Sequence, residues 1–244
     1  MAIDWDEHRR LSHRLSGAQE FLKQIVYGGN DGIVTTFAIV AGFAGAAAEG
    51  AAQIGGLAVL VFGLANLFAD AVSMGLGEFL STRSQSDLYH SRRRSELREL
   101  HDHPGQERAE LVQMLTERGL DAPSAEAAAG QLMKSPELVV DMMMTYELRM
   151  YDMRTASPAL EGAITFAAFV VFGMIPLTPY FVLPALETST FWFSLVATFT
   201  ALATLGLLRW RATGQRALRS VGETVLVGAV CAAVAYMVGA IVGG

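Results

Sequence analysis

Five apolar stretches, at about 25–48, 54–80, 163–186, 188–208 and 225–242, dominate this chain. Each is close to the ~20 residues that a helix needs to cross a bilayer. In lipid every backbone polar group has to be paired inside its own helix or in a closed barrel, so the stretches predict an all-α, polytopic membrane protein with five transmembrane helices. Composition agrees: 52% of the 244 residues are hydrophobic and 17% are charged, against about 25% charged in soluble domains. The net charge of −6 argues against a nucleic-acid partner. A single cysteine, Cys231, excludes a disulfide scaffold and a thiolate zinc site.

The basic residues orient the spans, because loops on the cytoplasmic side carry the excess of Lys and Arg. Arg9, Arg10, Arg14 and Lys23 precede the first span, ten basic residues lie between Arg83 and Arg154, and Arg209, Arg211, Arg216 and Arg219 lie between the fourth and fifth spans, which accounts for all 18. The connections near Glu49 and Glu187 and the tail after Val242 have none. Five spans with the N-terminus in the cytoplasm and the C-terminus outside fit this pattern, and an even number breaks it.

The organisation that follows is an N-terminal segment (1–24), a first pair of spans (25–82), a polar insert (83–155) and three further spans (156–244). The N-terminal segment carries Asp4, Asp6 and Glu7 and lacks an apolar core, so it does not read as a cleavable signal. Leu11, Leu15, Ala18 and Leu22 recur at helical spacing, which suggests an interfacial helix, with a solvated tail as the alternative. The short N-terminus without a targeting extension points to a bacterial cell membrane rather than a vacuole-type organelle membrane.

Ionisable residues inside the first two spans are the functional signal. A carboxylate near the bilayer centre costs on the order of 2.5–3.5 kcal/mol on insertion scales and is usually kept for transport or proton work. The first span holds Asp31, and the second holds Asn66, Asp70, Met74 and Glu78 at four-residue intervals, a slowly winding stripe on one helix face. Counting from the span ends puts Asp31 and Met74 at similar depth, about 9 Å in, with Asp70 about 6 Å deeper. The run Gly28, Gly29, Asn30, Asp31, Gly32 suggests a loosened helix start with free carbonyls. It is not a phosphate loop, because no Gly-Lys-Ser/Thr follows. The alternatives are that Asp31 caps a helix at the interface and that Glu78 faces solvent. Pro176 and Pro179 in the third span predict an end or a kink there.

The insert has ten basic and thirteen acidic residues, so its distinguishing feature is placement. Helices are expected over 88–100, continuing out of the second span, then over 106–118 and 124–134, with a last one from Pro136 to about Arg154. Glu96 and Glu99, and Glu107 and Glu110, each share a helix face at i and i+3, while Met143 and Glu147 are at i and i+4 with Met144 adjacent. A hairpin at 103–105 brings the two pairs together. Converging carboxylates repel one another unless a cation joins them, and a thioether among them favours softer first-row ions such as Fe2+ over Ca2+ or Mg2+. Solvated helix faces for the glutamates, core filling for the methionines and exposure for His101 and His103 are the competing readings.

The segments YGGNDGIVTTFAIVAG (27–42), ADAVSMGLGEFLSTRSQ (69–85), MMTYEL (143–148) and FGMIPLTPY (172–180), with the paired ExxE elements, resemble the vacuolar iron transporter family from about Tyr27 to the C-terminus. The resemblance implies a five-helix homodimer that moves Fe2+, and in many members Mn2+, out of the cytosol in exchange for protons. The family's intramembrane aspartate falls on Asp31 and its methionine on Met74. Its metal-binding residues fall on Glu96, Glu99, Glu107, Glu110, Met143, Met144 and Glu147. One departure stands out: where plant-like members carry a second-span glutamate this chain has Asn66, and Asp70 and Glu78 stand where glycines are expected.

The function expected is therefore proton-coupled export of Fe2+ or Mn2+ for metal homeostasis, with no catalytic residues and no resident cofactor. The metal is cargo, and Co2+ and Zn2+ are the related ions to compare. The expected partners are metal ions, protons, membrane lipid and a second copy of the chain. The alternatives are a membrane-bound di-iron ferroxidase, for which the Glu-x-x-His motifs of ferritin-like bundles are missing, and a metal-sensing scaffold that binds without flux.

Overall fold

The computed structural model describes residues 17–48, 56–183 and 188–243. It is all-helical among the described residues, and five of its helices are long and apolar enough to cross a membrane. After a helical turn at Gly17–Glu20 come α1 (Leu22–Ala48), α2 (Gly56–Asp102), α3 (Pro104–Glu117), α4 (Ala122–Leu132), α5 (Pro136–Tyr146), α6 (Pro158–Met174), α7 (Thr188–Thr213) and α8 (Ala217–Gly243). The interfacial helix expected before residue 17, and the connections near Glu49 and Glu187, lie outside the described residues. The chain divides into two compact units, a membrane unit (1–79 and 159–244) and a helical unit (80–158).

In the membrane unit small residues set the packing. A Cβ added at Gly28 would stand 2.7 Å from the Thr165 carbonyl oxygen, one at Gly32 would overlap the Phe169 carbonyl, and one at Gly173 would stand 2.7 Å from the Gly32 carbonyl. α1 and α6 therefore touch backbone to backbone, as small residues allow between membrane helices. This corrects the expectation of a loosened helix start. α1 is unbroken through the glycine run, Asp31 sits well inside it rather than at its cap, and the glycines serve close contact with α6. Gly239 meets Gly42 in the same way where α8 crosses α1.

The third span breaks where its prolines predict. α6 gives way to a 3-10 turn at Ile175–Leu177 and a short helix at Thr178–Val182. The carbonyl of Pro176 accepts a bond from the Ser194 hydroxyl of α7 at 2.6 Å, which meets a need that a broken helix in lipid creates. α8 begins at Ala217, earlier than the apolar window, and brings Glu223 into the helix, where Arg209 and Arg219 both pair with it at 2.9 Å.

In the helical unit, prolines stand in the first turns of α3, α4 and α5, where their missing N–H costs nothing. Asp121 caps α4 by accepting from the Ser124 N–H at 3.2 Å, and Gly119 takes the left-handed conformation that the preceding turn requires. Tyr89, Leu100, Leu111, Met114, Ala129, Val139, Val140, Met143 and Met144 form one apolar core. The last helix ends at Tyr146 instead of continuing to Arg154. Leu148 N–H bonds back to the Met143 carbonyl, Arg149 adopts a left-handed conformation, and the chain turns so that Arg154 reaches Asp141 at 3.1 Å and Asp152 at 2.7 Å. Asp141 in turn accepts from Arg93 of α2 at 3.2 Å, so the reversal is fixed by charges from separate elements.

Gly32→Ala pushes a methyl group into backbone and is expected to destabilise by about 1–3 kcal/mol, as overpacking does. Gly222→Ala, whose Cβ meets nothing within 4 Å, is expected to be neutral or slightly stabilising through helix propensity. Melting temperatures of the two purified variants in detergent test this contrast.

Candidate functional site

The membrane unit gathers the second-span stripe as a continuous feature. Asn66, Asp70, Met74 and Glu78 are all partly buried, between one side of α2 that packs against α6 (Leu67, Ala71 and Gly75, all buried) and another that is open (Ala65, Ala69, Ser73 and Gly77, all exposed). The Asn66 side-chain amide donates to Asp70 Oδ2 at 2.6 Å, so the residue that replaces an expected carboxylate holds the carboxylate one turn along. Asp31 lies within reach of the Asp70 charge.

Depth is set by α6 rather than by counting. Phe169 packs with Leu67 and Ala71, and its carbonyl meets Gly32. Gly173 stands against both Leu67 and Gly32. These shared neighbours put Asp31 near the level of Asp70.

Glu78 differs from the others in its partners. Its side chain is only 9% exposed, although it closes the stripe near the end of the membrane unit. Its Oε1 accepts from the Lys23 ammonium at 2.9 Å and from the Gln24 amide at 3.0 Å, and the same amide nitrogen donates to Glu161 Oε2 at 3.0 Å. Glu78 therefore does not simply face solvent. Gln24 and Glu161 were invisible to the sequence reading, since each is a lone polar residue at the edge of an apolar window. Glu161 stands in the first turn of α6.

In the helical unit the glutamates are unevenly placed. Glu107 is buried with Leu111 and Met114 on the inward face of α3, so it does not belong to a solvated face. Glu96 and Glu110 are partly buried, while Glu99 and Glu147 are exposed. Ser95 donates to Glu99 at 3.2 Å and Gln106 to Glu110 at 3.0 Å. A cavity of about 300 Å3 is lined by Glu110, Glu117, Glu147 and Met114, among others. Met143 and Met144 are fully buried in the core, and Met114 lines the cavity. His101 and His103 are exposed. Among the described residues, no three or more His, Cys, Asp or Glu side chains are gathered closely enough to hold a metal ion as they stand.

The charges nevertheless act on one another. Burial pushes the Glu107 carboxyl up to about 7, helped by the charges of Glu110, Glu96, Glu99 and Glu147. Burial, then Glu110 and Glu99, also raise Glu147. By contrast, the Arg154 guanidinium and backbone N–H hold Asp152 down to about 2. The five glutamates thus share one negative field, and a cation entering it relieves the repulsion.

Fold and site define a multi-pass, all-helical membrane protein with carboxylates in its spans and a second set in a helical insert. Residues 22–240 match the model of the VIT family, and the chain belongs to that family. Among similar proteins, the vacuolar iron transporter 1 of Tulipa gesneriana is 33% identical over 220 residues, covering 90% of this chain and 86% of the tulip protein. Its Arabidopsis thaliana namesake is 33% identical over 238 residues, 97% and 91% of the two chains. The vacuolar iron transporter of Toxoplasma gondii is 33% identical over 232 residues, 92% and 75%. All three are named as transporters and none as an oxidase, in line with the expectation that this chain is not an enzyme.

Glu107 supplies a pH signature. Its carboxyl is raised from an ordinary 4.5 to about 7 in the folded protein, so the folded state holds the proton more tightly. The stability this contributes is complete below 4.5 and is lost as pH rises through 7. Glu107→Gln is therefore expected to raise the melting temperature of metal-free protein at pH 8 and to leave it nearly unchanged at pH 4.5. Thermal melts at these pH values test both statements.

Proposed function

We propose that this protein exports divalent metal, Fe2+ or Mn2+, from the cytosol in exchange for protons and so serves iron and manganese homeostasis. The observation that carries the reading is the pair of carboxylates, Asp31 on α1 and Asp70 on α2, near the same level inside the membrane unit and within reach of each other's charge. Two carboxylates brought together in a low-dielectric setting resist being ionised together. A divalent cation lets both ionise, and protons replace it when it leaves, so one site alternates between the two cargoes. Family membership and the names of the relatives support iron as cargo. Met74, one turn from Asp70, adds a thioether that favours Fe2+ and other first-row ions over Mg2+ or Ca2+.

The insert's glutamates Glu96, Glu99, Glu107, Glu110 and Glu147, with the sulfurs of Met143 and Met144, would take up the metal on the cytosolic side, the side that the basic residues mark. Their mutual repulsion supports this role, since a cation among them would relieve it. A homodimer is supported by the open face of α2, where Ala65, Ala69, Ser73 and Gly77 offer the small-residue spacing on which membrane helices pair. Such a pairing would line an ion path with the stripes of two copies. An N-terminus in the cytoplasm, a C-terminus outside and a bacterial cell membrane complete the reading, with a vacuole-type membrane as the alternative.

Inside-out vesicles under an imposed pH gradient are expected to take up Fe2+ and Mn2+ when the protein is present, without stoichiometric oxygen consumption. Asp31→Ala and Asp70→Ala should each reduce uptake to background. Wild-type flux from both variants contradicts the site assignment.

A further inference from the structure

Between residues 208 and 224 the sequence holds Arg209, Arg211, Arg216 and Arg219 against one acid, Glu223, in a chain whose net charge is −6. Arg209 and Arg219 share Glu223 at 2.9 Å, so the turn joining α7 to α8 keeps a surplus of positive charge. Arg216 precedes α8 and Arg219 lies in its first turn, which holds no acidic residue. Cations there meet the positive end of the helix dipole, and the repulsion adds to that among the arginines. Arg216, Arg219, Gln215, Ala217, Leu218 and Trp210 line a recess of about 930 Å3. Leu218 is 91% exposed and Trp210 40% exposed, and both stand at the ends of helices long and apolar enough to cross a membrane. An indole at the end of a span marks headgroup depth. Glu223 also lines a second recess, of about 670 Å3, together with Arg209 and the apolar side chains of Leu22, Val26 and Val227.

We propose that the recess at the α7–α8 turn binds the headgroup of an anionic phospholipid. Arg216 and Arg219 supply the charge, and a guanidinium matches the oxygens of a phosphate with two parallel hydrogen bonds. Trp210 and Leu218 supply apolar contact at the level of the glycerol backbone, and the recess beside Arg209 has the apolar walls that an acyl chain needs. A free phosphate would use the arginines alone and leave Leu218 and Trp210 in water, so the lipid accounts for more of the surface. A zwitterionic headgroup carries its own ammonium, which the surplus of arginine repels. Basic residues beside a span attract anionic lipid by about fivefold in affinity for each residue near the surface. The inference depends on the chain spanning a membrane and not on the ion it carries.

Trp210 is itself the probe. Trp5→Phe and Trp192→Phe leave it as the sole indole of the full-length protein, which is reconstituted in phosphatidylcholine vesicles containing either brominated phosphatidylglycerol or brominated phosphatidylcholine. Bromine quenches an indole on contact, so the ratio of the two quenching curves reads the lipid preference at this recess. The expected result is a preference for phosphatidylglycerol that falls by about fivefold for each of Arg216→Gln and Arg219→Gln. Arg94→Gln with Arg98→Gln, which removes two exposed arginines of the helical unit, is expected to leave the preference unchanged. Equal quenching by the two lipids overturns the proposal, as does a preference that survives loss of Arg216 and Arg219 or falls equally in the Arg94→Gln, Arg98→Gln protein. Relief of the quenching by soluble glycerol phosphate also overturns it, by making the recess a site for a free anion.

Discussion

A carboxylate surrounded by apolar helices is unstable as an anion unless another group compensates it, and the polar organisation of this protein follows from that constraint. Each buried acid has a distinct answer. Asp70 takes the Asn66 amide, Glu78 takes the ammonium and amide of Lys23 and Gln24, and Glu107, packed beside Leu111 and Met114, has its carboxyl pushed up to about 7. Asp31 faces the charge of Asp70. These are partial compensations, and in the proposed function a divalent cation would supply what neutral amides do not.

Backbone contact between helices makes the arrangement possible. Because α1 and α6 meet through Gly28, Gly32 and Gly173, no side-chain layer separates them. α2 packs on the same α6 through Gly75, against Phe166 and Gly162. α6 thereby sets the heights of both acid-bearing helices and supplies Glu161 to the Gln24 bridge. A methyl group at Gly32 would act on the acids indirectly, by moving the helix that aligns them.

Much of this was legible in the sequence, and the parts that were not share a cause. The five spans follow from apolar length alone. The stripe on α2 follows from four-residue spacing, and the break in the third span follows from Pro176 and Pro179. The glycine run was misjudged because glycine weakens a helix in water, whereas between membrane helices it permits an approach that restores what it costs. The last insert helix was drawn too long because nothing local ends it at Tyr146; Arg154, Asp141 and Arg93 do so from three parts of the chain. The Gln24 bridge and the similar level of Asp31 and Asp70 are likewise products of three-helix packing. In the insert, the paired spacing puts Glu107 on one helix face with Glu110, but only packing shows that Glu107 lies on the core side of its helix, and that Met114 lines the cavity that Met143 and Met144 do not.

The central claim is that the membrane carboxylates trade a metal ion for protons, and proton counting tests it most directly. Proteoliposomes loaded with a pH-sensitive dye would be given external Mn2+ without any imposed gradient. Exchange predicts that the lumen becomes alkaline as Mn2+ enters, in fixed proportion to the metal taken up, and that the Asp31→Asn, Asp70→Asn double variant shows neither signal. Mn2+ entry with no change in lumenal pH, or an unchanged proton signal in the double variant, contradicts the account.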